Sequence, residues 1–299
     1  MSSVLPFDQW MRSTAHHMES VLDRLLPTAT RTPTRLHEAM RYAVLGGGKR
    51  VRPLLAFGGG EVTGADPVRV EIVGAAVEMI HAYSLIHDDL PCMDDDVLRR
   101  GKPTTHVEFD EATAMLAGDA LQPLAFEIVA ATPLANDVAT QLQMLRLLAQ
   151  ASGSHGMAGG QAIDMTSVGK TLTEPDLEFM HIHKTGALIR ASVILGALCG
   201  GPLDAARRAN LEHYAQAVGL LFQVVDDILD ATASTATLGK TAGKDADENK
   251  PTYVSILGLP EARRRAAELL ATAEAALQPF GDKAIRLREL ARFIGQRSF

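Results

Sequence analysis

Cysteine is scarce in this 299-residue chain, and basic residues are not in excess. The two cysteines, Cys92 and Cys199, are too few for a disulfide framework or a four-cysteine zinc site. Lys and Arg number 29 against 36 Asp and Glu, which gives a net charge of −7. We therefore expect no general basic surface for nucleic acid or anionic lipid. A polyanionic ligand would have to be held by local Lys and Arg clusters or through metal ions.

Targeting signals and long apolar runs are also missing. The first residues, "MSSVLPFDQWMRSTAHH", contain no basic segment followed by an apolar one, so we expect no secretory leader. The longest uncharged apolar run, Ala191 to Leu203, is too short and too rich in glycine to span a bilayer. Because the cysteine usage also suits a reducing compartment, the sequence predicts a cytoplasmic protein that does not enter a membrane.

What the chain does contain is apolar residues repeated every three or four positions, the pattern of helices. We predict helices at residues 5–25, 34–45, 52–63, 68–91, 108–131, 136–151, 174–199, 203–231, 250–277 and 283–297. No linker rich in Pro, Ser or charge divides them. We therefore expect one all-α domain over residues 1–299, built as a single large helical bundle. The polar segment from Thr232 to Lys250 is predicted to be a long loop, either functional or disordered.

A first cluster of aspartates follows an apolar helix directly. Five of them lie within the nine positions from Asp88 to Asp96. Like charges this close repel each other unless water or a cation separates them. Pro91 cannot donate a backbone hydrogen bond and should end the regular helix, which leaves Asp94 free to return toward Asp88. His81 is seven residues before Asp88 and shares its helix face.

A second acidic cluster lies in "GLLFQVVDDILDAT", from Gly219 to Thr232. Asp226 and Asp230 are one turn apart on one face of an otherwise apolar helix. Burying such charges without partners costs several kcal/mol, so a cation is expected between them. Carboxylates without a Cys or His set favour Mg²⁺, which would bridge them to a diphosphate. A lone motif of this kind is more often a solvated helix face, but two on apolar helices favour a metal site.

Basic residues occur in four places that could complement the acids. In "GGGKRVRP", three glycines precede Lys49 and Arg52, and Pro53 suits the first turn of a helix whose N-terminus favours an anion. The other basic positions are Arg99 with Arg100, Lys184 beside Thr185, and Lys240 with Lys250. Any one of them is equally well an ordinary surface residue. Together they predict a site for two diphosphates, one bound through metals and one bound directly.

Seven segments resemble, in order, the motifs of the trans-prenyltransferases, or polyprenyl synthetases, and most nearly those of bacterial farnesyl diphosphate synthases. They are "GGGKRVRP", "DDLPCMDDDVLRRGKPTTH", "GGQAIDM", "HKTGALIR", "FQVVDDILD", "LGKTAGKD" and "NKPTY". The resemblance covers about residues 35–299. It implies an isoprenoid synthase fold around a central apolar cavity and a homodimer. It also implies head-to-tail joining of isopentenyl diphosphate to dimethylallyl or geranyl diphosphate, with farnesyl diphosphate as product.

The resemblance also implies roles for individual residues. The expected catalytic residues are Asp88, Asp89, Asp94, Asp226, Asp227 and Lys184. Three Mg²⁺ ions are expected, which Mn²⁺ could replace. Their expected ligands are Asp88, Asp94, Asp226 and Asp230. The isopentenyl diphosphate site is expected at Lys49, Arg52, His81 and Arg100. The allylic site is expected at Arg99, Lys184, Thr185, Gln223, Lys240 and Lys250. Asp95 and Asp96 are expected to be solvated or to lie outside the metal contacts, and His87 to be structural.

Product length should depend on Tyr83 and Ser84, the residues five and four before the first aspartate. In the family that the chain resembles, residues at these two positions form the floor of the hydrocarbon pocket. A bulky residue at the first position is typical of the bacterial farnesyl type. Ideal helix geometry puts Ser84 near the face of Asp88 and Tyr83 about 140° away, where it would wall the pocket. Geranyl or geranylgeranyl diphosphate is therefore the alternative product.

Three alternatives of other classes remain. A terpene cyclase would share the fold and the metals, but its second motif usually holds an Asn/Ser/Glu triad where this chain has "DDILD". A non-catalytic prenyltransferase subunit would be expected to have lost aspartate motifs, and both are intact. A phosphohydrolase of the HD type, suggested by "HDD" at His87, needs further spaced histidines that the sequence does not supply.

Overall fold

Helices make up nearly all regular structure in residues 5–232 and 250–297, the part of the chain that this computed structural model describes. They are α1 (Phe7–Leu25), α2 (Thr34–Val44), α3 (Val51–Thr63), α4 (Pro67–Asp88), α5 (Thr105–Glu108), α6 (Glu111–Ala131), α7 (Val138–Ser152), α8 (Met157–Ser167), α9 (Glu174–His181), α10 (Ala187–Leu198), α11 (Ala205–Thr232), α12 (Tyr253–Leu257), α13 (Leu259–Ala276) and α14 (Ile285–Gly295). A π-helical turn (Ile182–Gly186) joins α9 to α10, and a 3₁₀ segment (Gln278–Ala284) precedes α14. The all-α prediction is confirmed.

The only strands among the described residues are β1 (Leu98–Arg99) and β2 (Lys102–Pro103), which pair antiparallel. Arg100 and Gly101 connect them, with φ angles of 54° and 75°. Two successive positive φ angles are the signature of the tight hairpin turn that suits the twist of paired strands. This small hairpin fixes the backbone on either side of Arg99 and Arg100.

The chain forms two compact units, Met1–Leu145 with Leu195–Pro202, and Arg146–Ile194 with Leu203–Phe299. In the first unit α4 is the central element, packed against α1, α2, α3 and α6. Asp66 begins α4 by accepting a hydrogen bond from the Val68 N–H, and Pro67 occupies its first turn. Burial on all sides explains why the sequence of α4 is apolar nearly throughout. The prediction of one domain over residues 1–299 stays a prediction.

In the second unit α11 is the central element. It packs against α13, α14, α12 and the π-helical turn. Tyr214 is fully buried on α11, and its hydroxyl donates a hydrogen bond of 2.6 Å to the carbonyl of Leu287. Satisfying that hydroxyl allows a polar group to lie in the core without an energetic penalty.

Glycines allow several helices to approach each other closely. A Cβ on Gly196 in α10 would lie 1.9 Å from the carbonyl oxygen of Ala56 in α3. In the second unit, a Cβ on Gly219 in α11 would lie 2.8 Å from Cα of Gly186 in the π-helical turn. Real Cβ atoms do not make contacts this short, so a hydrogen at these positions is a condition of the packing.

Several predicted helix bounds are wrong for local reasons. The helix predicted at 68–91 ends at Asp88, three residues before Pro91. The one predicted at 108–131 is interrupted, because Asp110 caps α6 by accepting the Thr113 N–H. The one predicted at 250–277 breaks at Gly258, whose φ is 81°.

Two further differences concern the second unit. The helix predicted at 174–199 contains the π-helical turn, which a period of 3.6 does not reveal. Helix α8 was not predicted, because its segment "MAGGQAIDMTS" has two adjacent glycines and little apolar periodicity.

One helix of the described residues, α6, is long and apolar enough to cross a bilayer by length and composition alone, with a mean hydropathy of 1.3. This is weak evidence, because a core helix of a soluble protein passes the same criterion. In the first unit α6 packs against α4 and α2.

We expect Gly196→Ala to lower the free energy of unfolding by about 2 kcal/mol, because the new methyl group would overlap the Ala56 carbonyl. Urea unfolding followed by circular dichroism measures the change. Gly74→Ala is the matched control, since its Cβ would meet the flexible end of Met18 at 3.3 Å. That control should be neutral or stabilising, because alanine favours a helix. Equal stability of the two variants would contradict the packing argument.

Candidate active site

The backbone after α4 brings the two ends of the first aspartate cluster together. The N–H of Asp94 donates a hydrogen bond of 2.8 Å to the carbonyl of Asp88. Asp95 follows in the left-handed region, with φ of 51°, and is exposed. The chain therefore turns back on itself after the helix end, as Pro91 predicts, and the backbones of Asp88 and Asp94 come into contact.

Asp89 faces away from solvent and is bound by Arg99. Its carboxylate accepts from Arg99 Nε at 2.9 and 3.0 Å and from a terminal nitrogen at 2.5 Å, and the residue is 3% exposed. Burial raises the pKa of Asp89, and the bonds from Arg99 act in the opposite direction. The predicted catalytic Asp89 and the predicted allylic-site Arg99 are thus partners of each other in this structure.

The glycine loop before α3 supports an arginine side chain. Gly46, Gly47 and Gly48 have φ angles of 89°, 117° and 120°, which residues with a Cβ rarely adopt. Arg100 donates to the carbonyl of Gly47 at 2.7 Å, and a Cβ on Gly48 would lie 2.6 Å from the same guanidinium. The loop that the sequence associates with an anion therefore positions one of the predicted basic residues.

Two residues of the predicted isopentenyl diphosphate site, Arg52 and Arg100, lie near a third, His81. Burial, then the positive charge of Arg52 and then that of Arg100, hold the pKa of His81 well below its usual range. The imidazole is therefore neutral at physiological pH and can donate a hydrogen bond beside two guanidinium groups. Lys49, the fourth predicted residue of this site, is exposed and lies three positions before Arg52 in the chain.

Arg50 has a structural role that the sequence did not reveal. Its side chain is 2% exposed and binds Glu19 at 2.5 Å and Glu78 at 2.6 Å. It also donates to the carbonyl of Val44 at 2.6 Å. Partners on both sides allow a buried guanidinium between Lys49 and Arg52, and no local periodicity signals those partners.

Tyr83 and Ser84, the predicted determinants of product length, differ in their surroundings. Tyr83 is 8% exposed and its ring meets that of His87 edge-on at 5.8 Å. Burial, with a smaller contribution from Asp88, raises the pKa of Tyr83 to about 12. Ser84 is half-buried and donates to the carbonyl of His81 at 2.9 Å. His87 donates a hydrogen bond from Nε2 to the Met115 carbonyl at 3.1 Å.

In the second unit α11 carries Asp226, Asp227 and Asp230, and each has different surroundings. Asp226 is half-buried and contacts Arg297, a residue that sequence reasoning did not single out, at 3.0 Å. Asp227 is buried and accepts the N–H of Tyr253 at 2.8 Å. Asp230 is 6% exposed, and its Oδ1 has no hydrogen-bond partner among the described residues.

The π-helical turn presents two predicted residues of the allylic site. Lys184 donates to Asp164 of α8 at 2.5 Å, and the hydroxyl of Thr185 donates to Gln223 of α11 at 2.7 Å. Gly160 of α8 permits the approach, since a Cβ there would lie 2.0 Å from the backbone nitrogen of Lys184. Asp164 was missed as a site residue, although it lies in the quoted segment "GGQAIDM". A π turn inside a helix is frequent at functional sites.

The other basic residues of the predicted allylic site lie at the boundary of the described chain. Lys250 is half-buried and lies three residues before α12, which begins at Tyr253. Lys240 falls outside the described residues, as does most of the predicted loop from Thr232 to Lys250.

The donor set of both clusters fits a hard divalent cation. Among the described residues, no group of three or more His, Cys, Asp or Glu side chains is gathered tightly enough to hold a metal alone. The buried Oδ1 of Asp230 nevertheless calls for a positive partner, because an unsatisfied buried carboxylate oxygen is costly. Oxygen ligands few in number suit Mg²⁺, which keeps waters and takes phosphate oxygens.

The chain is similar to known proteins over most of its length. Residues 33–283 match the sequence model of the polyprenyl synthetase family. A "Probable farnesyl diphosphate synthase" of Bradyrhizobium diazoefficiens is 51% identical over 94% of this chain and 85% of its own length. The chloroplastic "Heterodimeric geranylgeranyl pyrophosphate synthase large subunit 1" of Arabidopsis thaliana is 46% identical over 99% of this chain and 80% of its own.

A solved structure shares the fold. The geranyltransferase of Helicobacter pylori, crystallised with magnesium and isoprenyl diphosphate, is 32% identical and superposes with a TM-score of 0.84. The match covers 98% of each chain.

The buried His181 should make the protein less stable in acid. It stacks on Tyr253 at 5.6 Å, and burial followed by the charge of Lys184 lowers its pKa from 6.5 to about 4. The unfolded state binds the proton more readily, so His181 contributes stability above pH 6.5 that is lost as the pH falls toward 4. The loss should be about 3 kcal/mol at most.

Urea unfolding at several pH values between 7 and 4.5 tests this expectation. His181→Phe keeps the ring and should flatten the pH dependence below 6.5, whereas substitution of the exposed His155 by Phe should not. An unchanged pH slope in His181→Phe would show that other groups cause the acid sensitivity.

Proposed function

The chain belongs to the polyprenyl synthetase family, and we propose that it joins isopentenyl diphosphate to dimethylallyl and geranyl diphosphates to give farnesyl diphosphate. The observation that carries this proposal is the pair of aspartate motifs. In each unit one motif lies on or just after a central apolar helix and pairs with an arginine, Arg99 on Asp89 and Arg297 on Asp226.

The carboxylates are assigned to the metal and to the allylic diphosphate. Asp88 and Asp94 in the first unit, with Asp226 and Asp230 in the second, would hold Mg²⁺, for which the family expectation is three ions with Mn²⁺ as a substitute. Bound Mg²⁺ supplies positive charge to the diphosphate that leaves when the allylic C–O bond breaks. The H. pylori geranyltransferase, whose structure contains magnesium, supports this assignment.

The remaining aspartates are assigned supporting roles. Asp89 holds Arg99, and Asp227 holds the backbone of Tyr253, so each orders a segment next to its motif. Asp95 is exposed in a left-handed turn and is assigned no ligand role.

Basic and polar side chains divide between the two substrates. Arg52, His81 and Arg100, which lie together in the first unit, bind the diphosphate of isopentenyl diphosphate with Lys49. Lys184 and Thr185 bind the allylic diphosphate, each oriented by a bond to a neighbouring helix. Gln223, Arg99, Lys240 and Lys250 complete that assignment.

The chain's own residues then protect and terminate the reaction. Apolar side chains of α4 around Tyr83 keep water from the allylic cation while the alkene of isopentenyl diphosphate attacks it. The proton lost afterwards is taken by the released diphosphate, so no protein base is assigned. Tyr83, buried and bulky, limits the length of the product.

We also propose a homodimer in the cytoplasm. Exposed apolar side chains on α6 and α7 support the dimer, notably Leu116, which is 56% exposed, Val138, which is 85% exposed, and Leu142, which is 64% exposed. An interface that covered these side chains would remove their apolar surface from water, which is favourable. Light scattering on the purified protein tests the dimer directly.

Replacing a metal ligand should abolish most of the activity. We expect Asp88→Ala and Asp226→Ala to lower kcat for condensation by at least about 10³-fold, because each removes charge stabilisation from the transition state. The assay follows incorporation of labelled isopentenyl diphosphate with geranyl diphosphate. Asp95→Asn is the control, since asparagine tolerates the left-handed backbone there, and it should stay within about threefold. Near-normal turnover in either alanine variant would refute the proposed function.

Shortening the side chain at position 83 should lengthen the product. With Tyr83→Ala, we expect products beyond the fifteen-carbon farnesyl chain, because a buried ring that blocks the growing hydrocarbon is removed. Mass spectrometry of the products formed from dimethylallyl, geranyl and farnesyl diphosphates measures the change. Tyr83→Phe keeps the ring and should leave the product unchanged. A farnesyl product from Tyr83→Ala would place the stop elsewhere.

A further inference from the structure

Arg297, at the end of the described chain, is buried against α11. Its side chain is 3% exposed and contacts Oδ1 of Asp226 at 3.0 Å. The same guanidinium donates to the carbonyl of Phe222 at 3.0 Å and lies 3.9 Å from the centre of the Phe222 ring. A third bond, from Nε, reaches the carbonyl of Ile294 at 3.3 Å. The charge is therefore held in place by one acid, two carbonyls and an aromatic face.

The position of this cation along α11 relates it to the aspartate motif. Phe222, Asp226 and Asp230 follow each other at intervals of four and share one helix face. The guanidinium covers Phe222 and Asp226, the first two of these positions. Asp230, one turn further, is buried with an oxygen that lacks a hydrogen-bond partner among the described residues. The positive charge of Arg297 thus contacts Asp226, at the start of the motif. Asp230, at its end, is left for a different cation.

Three aspartates within five residues repel each other, and neighbours four apart on a helix are close enough to destabilise it. Burial strengthens this repulsion because the local dielectric is lower than that of water. A resident guanidinium offsets part of it when no metal is bound. The same guanidinium must also weaken the binding of a divalent ion, since a unit charge about 6 Å from such an ion in a water-like medium changes its affinity about tenfold.

We propose that Arg297 is the resident counter-ion of the second aspartate motif: it stabilises the metal-free protein and raises the Mg²⁺ concentration at which the motif is filled. The proposal rests on the proposed function, because it takes Asp226 and Asp230 as ligands of Mg²⁺. Orientation of Asp226 by Arg297 would act in the opposite direction, but fixing one short side chain is worth less than the charge effect. The electrostatic consequence of removing Arg297 therefore decides the expected result.

The experiment is a Mg²⁺ titration of the thermal unfolding midpoint, at fixed inorganic diphosphate, for the whole protein. We expect Arg297→Gln to have a lower midpoint without metal and to reach its stabilised form at about 3- to 10-fold lower Mg²⁺. Arg297→Lys keeps the positive charge on which the proposal depends, and it should respond to Mg²⁺ within about twofold of the unaltered protein. The control is Arg292→Gln, which removes an exposed arginine of α14 that pairs with Glu274.

The outcomes separate this proposal from the proposed function. If the unaltered protein is stabilised by Mg²⁺ and diphosphate but Arg297→Gln requires the same or more Mg²⁺, Arg297 is not a counter-ion and the inference falls alone. If the unaltered protein shows no such stabilisation, the metal assignment falls and the inference falls with it. If Arg297→Gln does not fold, Arg297→Lys still decides, because a shift in its Mg²⁺ requirement beyond threefold would show that charge is not the property that matters.

Discussion

Aspartates placed at the ends of apolar helices need positive partners, and this constraint orders much of the structure around both motifs. An unpaired carboxylate in a low-dielectric interior costs several kcal/mol. In the first unit Arg99 forms an ion pair with Asp89, and in the second Arg297 forms one with Asp226. The buried Oδ1 of Asp230 has no hydrogen-bond partner among the described residues, which is the condition that a bound cation would satisfy.

Close helix packing provides the rigidity that such charge placement requires. Gly219 lets α11 pass directly over Gly186, so Thr185 of the π-helical turn reaches Gln223. Gly160 lets α8 approach the same turn, where Asp164 binds Lys184. Groups meant to stabilise developing charge must be oriented before the reaction, because reorganising them during it would consume the stabilisation. Glycine contacts that resemble mere packing therefore contribute to the proposed catalytic arrangement.

Much of the fold was predictable from the sequence. The family and the all-α class are confirmed. The bounds of α2 and α3 were predicted to within a residue, because their apolar periodicity is regular and each ends at a clear break. Helix α8 and the π-helical turn were not predicted, since glycines obscure the first and a local change of hydrogen bonding creates the second. The roles of the site residues remain predictions, and Lys240 lies outside the described residues.

By itself, the sequence determined which residues share a helix face. It placed Asp226 beside Asp230, and Pro91 indicated that Asp94 returns to Asp88, because helical periodicity and proline geometry act over a few residues. Only the tertiary structure decided which cation meets which acid. Arg99 lies ten residues from Asp89, Lys184 lies 20 from Asp164, and Arg297 comes from a different helix end altogether. Such partners depend on how distant segments pack, and no local pattern in the chain encodes that packing.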